Sequence, residues 1–371
     1  MIRFFIFLMF FFISGLIASA QHETLQKIYV GTFTSEGAEG IYLLSFNTAT
    51  GEINLDETFK GVDNPSFLKI SSNQKYLYSV NRSPRNIEAS GGYVTAYRIG
   101  KNGRLSFINK QFSNGSAPCH IDISDDGKFV AIATYVGGTV SLYPLSEAGR
   151  LEEATTVIKN RGFGANERRQ KAPHAHCVKF SPYGNEVFNA DLGTDQLNIF
   201  LLQDKKLIRR DSVEMSPGAG PRHLNFHPNK KVIYVINELN STVTAVKKDD
   251  GNWGKFQTVS TLPPDFDGDN YCADIHVSAD GKFLYGSNRG HNSIAVFEID
   301  QQDSRLRFVK TISSQGDWPR NFTLSPDGKF FLVANQRSNN IAVYRIDKDS
   351  GIPEFTGNEI KIPAPVCLEF Y

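Results

Sequence analysis

Short runs in which apolar and polar residues alternate, each interrupted by a turn, recur along almost the whole chain. Alternation of period 2 marks a strand with one buried face. Six segments share one pattern: a proline or small residue, an alternating run, a turn, and a second run. They are NPSFLKISSNQKYLYSVN from Asn64, APCHIDISDDGKFVAIAT from Ala117, HAHCVKFSPYGNEVFNAD from His174, GPRHLNFHPNKKVIYVIN from Gly220, CADIHVSADGKFLYGSN from Cys272 and WPRNFTLSPDGKFFLVAN from Trp318. Asp126-Gly127, Asp280-Gly281 and Asp327-Gly328 supply hairpin turns that tolerate φ > 0. A third run follows, such as Gly138 to Pro144, Ser241 to Val246, Ser293 to Ile299 or Asn340 to Ile346, and then a turn and a short fourth run.

The residue before each turn is Ser71, Ser124, Ser181, His227, Ser278 or Ser325, at successive gaps of 53, 57, 46, 51 and 47 residues. Four antiparallel strands repeated at a period of about 50 predict the blades of a β-propeller. A truncated copy, APVCLEFY from Ala364, ends the chain, whereas Ile28 to Thr34 and Gly40 to Phe46 read as a second and a third strand with no first. The C-terminal strand should therefore complete the blade that the N-terminus begins, closing the ring and removing exposed edges. The prediction is an all-β, seven-bladed propeller closed by pairing of its N- and C-terminal strands in one blade. No linker or low-complexity stretch divides it, so residues 21–371 form one domain, and the long gap from Ile158 to Ala172 reads as a loop insertion.

The first 20 residues read differently. Arg3 is the only charge, Phe4 to Ile17 is an apolar run, and Ala18-Ser19-Ala20 fits a small-residue cleavage site. This is the pattern of a signal peptide at residues 1–20, which predicts a secreted or periplasmic protein. No later segment is long and apolar enough to span a bilayer. Lys and Arg total 40 against 39 Asp and Glu, and without Arg3 the two are equal. A balanced chain with no basic tract gives no basis for binding nucleic acid, or a membrane surface once the signal is cleaved. Cys119, Cys177, Cys272 and Cys367 lack the C-x-x-C spacing of a metal site and sit in apolar strand-like runs, which predicts buried free thiols.

Inner strands line the channel of such a ring, so the start of the first strand and the end of the second recur at one mouth. First-strand positions are Ser66, His120, His174, His176, Arg222, His223, Asp274, Arg320 and Asn321. Second-strand ends are Asn81, Arg82, Tyr135, Asp191, Asn237, Glu238, Asn288, Arg289, Asn335 and Gln336. Four histidines and four arginines fall in this one set. Arginine forks hold carboxylate or phosphate, and His and Glu move protons near neutral pH, so the mouth suits a small anionic or polyhydroxylated ligand. Simpler roles compete with these. Asn237, Asn288 and Asn335 repeat at one place in each blade, as turn caps do. His227 replaces a turn serine, and His276 reads as a packed core histidine. Arg222 and Glu238, on paired strands, could form a purely structural ion pair. His174 and His176 share a strand face, as zinc ligands can, but no third ligand follows from spacing, and neither a metal nor a cofactor is predicted.

At these residues the sequence resembles a known family, the seven-bladed propeller 6-phosphogluconolactonases, which also contains the carboxy-cis,cis-muconate lactonizing enzymes. The stretches that carry the resemblance are IYVGTFT at Ile28, PHAH at Pro173, GPRHLNFHP at Gly220, VINELNSTV at Val235, SNRGHNSIAVF at Ser287 and WPRNFTLSPDGKFFLVANQ at Trp318. The resemblance implies a lactone hydrolase whose catalytic set is His174, Arg222, Glu238 and Arg289; of the other mouth positions read from the repeat, His120, His176, His223, Arg320, Asn321 and Gln336 are expected to bind substrate. Water activated by His174 or Glu238 would open the lactone, and Arg222 and Arg289 would hold the oxyanion or the substrate's own anion. No G-x-S-x-G elbow is present, which favours direct hydrolysis. The partner is then a small lactone or sugar acid. The signal peptide departs from the pattern of cytoplasmic sugar-phosphate enzymes. Two other functions fit the same residues: a muconate-type cycloisomerase, and a non-catalytic propeller that binds a sugar acid or a protein.

Overall fold

A computed structural model describes residues 25–83 and 91–371, so the signal-peptide prediction at residues 1–20 lies outside the described residues. Seven four-stranded antiparallel sheets form the ring. In blade 1, the strand Pro365–Phe370 pairs with Leu25–Thr32, which continues to Gly40–Asn47 and Ile53–Lys60. Blades 2 to 7 follow in chain order, with innermost strands Pro65–Ile70, Pro118–Ile123, Ala175–Phe180, Pro221–Phe226, Tyr271–Val277 and Pro319–Leu324. The closing pair runs from Ile28 opposite Phe370 to Thr32 opposite Pro365. The predicted fold and its mode of closure are both present.

Each first-to-second hairpin is fixed by its turn chemistry. Ser124 Oγ donates to Asp126 at 2.7 Å and accepts the Phe129 amide at 3.0 Å, while Gly127 takes φ 67°. Ser278 with Asp280, and Ser325 with Asp327, repeat the arrangement. His227 keeps the role with a different atom, its Nδ1 accepting the Asn229 amide. The apolar core lies between blades. Ile28, Val30, Leu44 and Phe46 of blade 1 pack on Leu368 and on Phe330, Leu332, Ile341 and Val343 of blade 7. All four cysteines are free and buried, as predicted.

A β-bulge in every innermost strand sets what the channel contains. In blades 2, 3, 4, 5 and 7 the register slips after the first residue, leaving Ser66, Cys119, His176, Arg222 and Arg320 without a cross-strand partner. In blade 1 the extra residue is Val366, and in blade 6 Ala273 and Asp274 lie opposite Ser287. Bulges re-aim side chains next to functional sites. Here they let two consecutive residues of one strand serve the channel at different depths. Ser66, Cys119, Arg222, Arg320 and Val366 line a recess at the mouth, His120, Asp274, Asn321 and Cys367 line a cavity of about 80 Å³ beneath it, and Phe67 and His223 border both.

Candidate active site

Glu238 is the hub of the mouth. It follows the second strand of blade 5 and is 5% exposed. Arg222 Nε donates to its Oε2 at 3.1 Å, Arg289 Nη2 to the same oxygen at 2.7 Å, and Arg169 Nη2 to Oε1 at 2.6 Å. Burial alone would raise the Glu238 pKa, but Arg289, Arg222 and Arg169 outweigh it and hold the carboxyl down at about 2. A carboxylate so depressed is a poor base. Its role is to gather three guanidinium groups that would otherwise repel one another. Arg222 is also buried, and desolvation followed by repulsion from Arg289 lowers it to about 10, so it stays charged at neutral pH.

His174 lies just before the first strand of blade 4 and is half-buried. Its backbone amide donates to Asp191 at 2.8 Å, and its ring stacks on Tyr135 at 4.4 Å. Its Nδ1 lies 2.8 Å from the Tyr135 carbonyl oxygen, which can only accept. The neutral ring therefore carries its proton on Nδ1, leaving the Nε2 lone pair for a proton from elsewhere. Arg169 Nη2 donates to the Tyr135 hydroxyl as well as to Glu238, so histidine, tyrosine and arginine cluster form one connected site.

Two further arginines have no carboxylate within ion-pair distance among the described residues. Arg82 and Arg320 each lie over the ring of Phe33 at 5.2 Å. Among the described residues Arg320 Nη1 has only Gln336 Oε1, at 3.4 Å, and Gln336 Nε2 is held by Glu36. Burial, then Arg222, Arg289 and Arg82, push Arg320 well below the usual arginine range. Such an uncompensated cation favours an arriving anion. Cys119 borders the same recess, but burial pushes its thiol up to about 11, so it is not a thiolate nucleophile at neutral pH. Among the described residues Ser66 Oγ has no hydrogen-bond partner and hence no base. Among the described residues no group of three or more His, Cys, Asp or Glu side chains is placed to hold a metal ion.

The predicted residues fall into two depths. His174, Arg222, Glu238, Arg289, Arg320 and Gln336 meet at the mouth, with the His176 ring edge-on to Tyr135 at 5.6 Å. His120 and Asn321 do not line the recess at the mouth, whereas His223 borders both that recess and the cavity beneath it. The bulge residue before each, Cys119, Arg320 or Arg222, lines the recess, and all three line the deeper cavity. His120 stacks on Phe67 at 4.3 Å with Nε2 near Cys177 Sγ, and Asn321 bonds Asp274 and the Leu368 amide. Asn81, Asn237, Asn288 and Asn335 bond strand and loop partners such as Thr95, Thr244, Thr261 and Ser314, in keeping with the capping role. His276 is not a core residue: its side chain is 30% exposed and bonds Asp274. The Arg222–Glu238 ion pair is real, but it belongs to a four-residue cluster that includes Arg169, which sequence reasoning missed inside the 160–174 connection. The available signal was the Arg168-Arg169 pair just ahead of PHAH.

The family model described as "Lactonase, 7-bladed beta-propeller" matches residues 27–370. The chain belongs to this lactonase family. It is 37% identical over 345 residues to the 6-phosphogluconolactonase of Bacillus subtilis (strain 168), covering 92% of this chain and 97% of that protein. It is 36% identical over 306 residues to a Formosa agariphila 6-phosphogluconolactonase, covering 80% and 86%. Among solved structures, a periplasmic gluconolactonase of Pseudomonas aeruginosa superposes with a TM-score of 0.87 at 31% identity, covering 93% and 99%. Like these relatives, the protein is a lactone hydrolase.

The buried histidines of this lactonase predict its acid stability. Burial, with the nearby cationic groups, holds His120 and His176 well below the ordinary range, and burial followed by Arg222 lowers His223 from 6.5 to about 4. Each such histidine gains a proton on unfolding. Stability is thus complete above pH 6.5 and falls as the pH drops toward the folded value, by about 3 kcal/mol for His223 alone. Glu238, depressed from 4.5 to about 2, works in a lower window, its stabilisation being present above pH 4.5 and lost toward pH 2. Urea unfolding between pH 7 and 4 should show a steep loss, and His223→Gln should flatten it by about one proton. An unchanged slope in that variant would show that His223 is already protonated in the folded state.

Proposed function

We propose that the protein hydrolyses a sugar lactone bearing an anionic group, such as 6-phosphogluconolactone or a carboxylated aldonolactone, by direct attack of water. The observation that carries this reading is the pair Arg82 and Arg320, two cations in the mouth with no carboxylate in ion-pair distance among the described residues. His174 Nε2 takes a proton from water as the water oxygen attacks the ring carbonyl. Arg222 and Arg289, fixed by Glu238, face the oxygen on which negative charge develops. The ring C–O bond then breaks, the departing ring oxygen takes the proton back from His174, and the new acid ionises to a carboxylate. Cys119 and Ser66 supply no activated nucleophile, which supports direct hydrolysis over an acyl-enzyme. A pH-stat assay on 6-phosphogluconolactone, glucarolactone and gluconolactone tests this. The charged lactones should turn over and the neutral one far less. Release of acid from none of the three would refute lactone hydrolysis at this mouth.

Export belongs to the same proposal. It is supported by Arg3, the apolar run to Ile17 and Ala18-Ser19-Ala20. Among the described residues no helix is long and apolar enough to cross a membrane. Expressed in a Gram-negative host, the protein should be recovered from the periplasm with an N-terminus near Gln21. Recovery from the cytoplasm with Met1 intact would contradict this.

A further inference from the structure

Beneath the mouth lies a buried chain of groups to which the hydrolysis above assigns no part. Asp274, 3% exposed, accepts hydrogen bonds from His223 Nδ1 at 2.8 Å, the Ile275 amide at 3.0 Å, His276 Nε2 at 3.1 Å and the Asn321 side-chain amide. An ionised carboxylate can only accept, so the proton on the Asp274 side of His223 belongs to Nδ1. The neutral ring then has one lone pair, on Nε2, and that atom lies 3.2 Å from Arg222 Nη1. A guanidinium can only donate. The same Nη1 donates to the Ala273 carbonyl at 2.6 Å, while Arg222 Nε is held by Glu238 at 3.1 Å. Arg222 is thereby clamped along two edges, and Nη2 is left without a protein partner among the described residues.

Every link in this chain has one polarity. Were His223 to carry its proton on Nε2 instead, a donor would face a donor and Arg222 would lose that contact. Phe67 and His120 pack around the His223 ring at 5.8 and 5.2 Å between centroids and limit its rotation. The bulge in blade 5 makes the arrangement possible, because it lets the adjacent residues Arg222 and His223 both turn into the channel.

We propose that His223 and Asp274 are positioning residues: Asp274 fixes the tautomer of His223, and the lone pair of His223 fixes the orientation in which Arg222 presents its free N–H groups to the substrate. This rests on the reading of Arg222 as a substrate contact. The rival is that His223 merely fills space in the channel.

The test uses the full-length protein with Arg222→Ala, His223→Leu and His223→Gln, with melting temperature and lactone hydrolysis measured on the same samples. Glutamine can put its amide oxygen near the place of Nε2, whereas leucine fills the space and accepts nothing. Arg222→Ala should lower kcat/KM at least about 100-fold. His223→Leu should lower it at least about tenfold, as losses of outer orienting groups do, and His223→Gln should recover most of it. ¹⁵N spectra of the wild type supply a measurement that needs no variant to fold. They should show His223 neutral at pH 6 with the proton on Nδ1. Equal activity in the folded Leu and Gln variants, or a proton on Nε2, would overturn the clamp. Normal turnover by Arg222→Ala would instead remove Arg222 from the site, a failure of the parent reading that the spectra would not share.

Discussion

Replacing His174 by glutamine should lower kcat/KM between about 100- and 10,000-fold, the range that a positioned general base contributes. The structure leaves few other groups for the task. Glu238 is the one carboxylate that the arginines gather around, and at about 2 its pKa is too low for it to hold a proton taken from water near neutral pH. His176 and His223 are buried and held below the normal range, His223 with Nε2 occupied by Arg222. His174 is the half-buried imidazole whose Nδ1 is engaged by a backbone carbonyl and whose Nε2 has no hydrogen-bond partner among the described residues. The fold should survive the change, because the contacts of its backbone amide with Asp191 do not involve the ring. A His174→Gln protein that melts normally and turns over normally would move the base elsewhere, and Tyr135 would be the next group to test.

Deleting Pro363 to Tyr371 should abolish folding. These residues supply the innermost strand of blade 1, and its ties reach three blades. It pairs with Ile28 to Thr32, its Leu368 amide donates to Asn321 of blade 7, and Glu369 pairs with Lys69 of blade 2 at 2.8 Å. Val366, Cys367 and Leu368 are each at most 3% exposed. Losing three buried side chains at about 2 kcal/mol each, together with the strand's hydrogen bonds, consumes most of the stability of an ordinary domain. The exposed edge of Leu25–Thr32 would then template aggregation. Circular dichroism and size-exclusion chromatography decide the matter. A monomeric truncated protein that melts within a few degrees of the full chain would mean that the ring does not close here.

The fold was legible because its signals are local and repeated. The Ser-x-Asp-Gly turns, their spacing and the orphan strand APVCLEFY each state the architecture without reference to distant residues. The mouth was legible as a zone for the same reason, since strand ends recur. What periodicity could not supply was depth. A one-residue bulge has no signature in an alternating pattern, yet it decides that Arg222 and Arg320 line the mouth recess while Asn321 drops beneath it and His223 borders both levels. Arg169 was hidden differently. It sits in a connection with no periodicity, and its importance arises from contacts with Tyr135 and Glu238, 34 and 69 positions away.

Kinetics on 6-phosphogluconolactone and gluconolactone, for the wild type and for Arg82→Gln/Arg320→Gln, bear on the whole reading at once. Hydrogen bonds to charged groups contribute roughly 1.5–3 kcal/mol each, so two arginines with no ion-pair partner among the described residues should give the wild type at least about a 100-fold preference in kcat/KM for the phosphorylated lactone. The double variant should lose most of that preference while still hydrolysing gluconolactone. Equal rates on both lactones in the wild type, or a preference that survives the double substitution, would contradict an anion-selecting mouth.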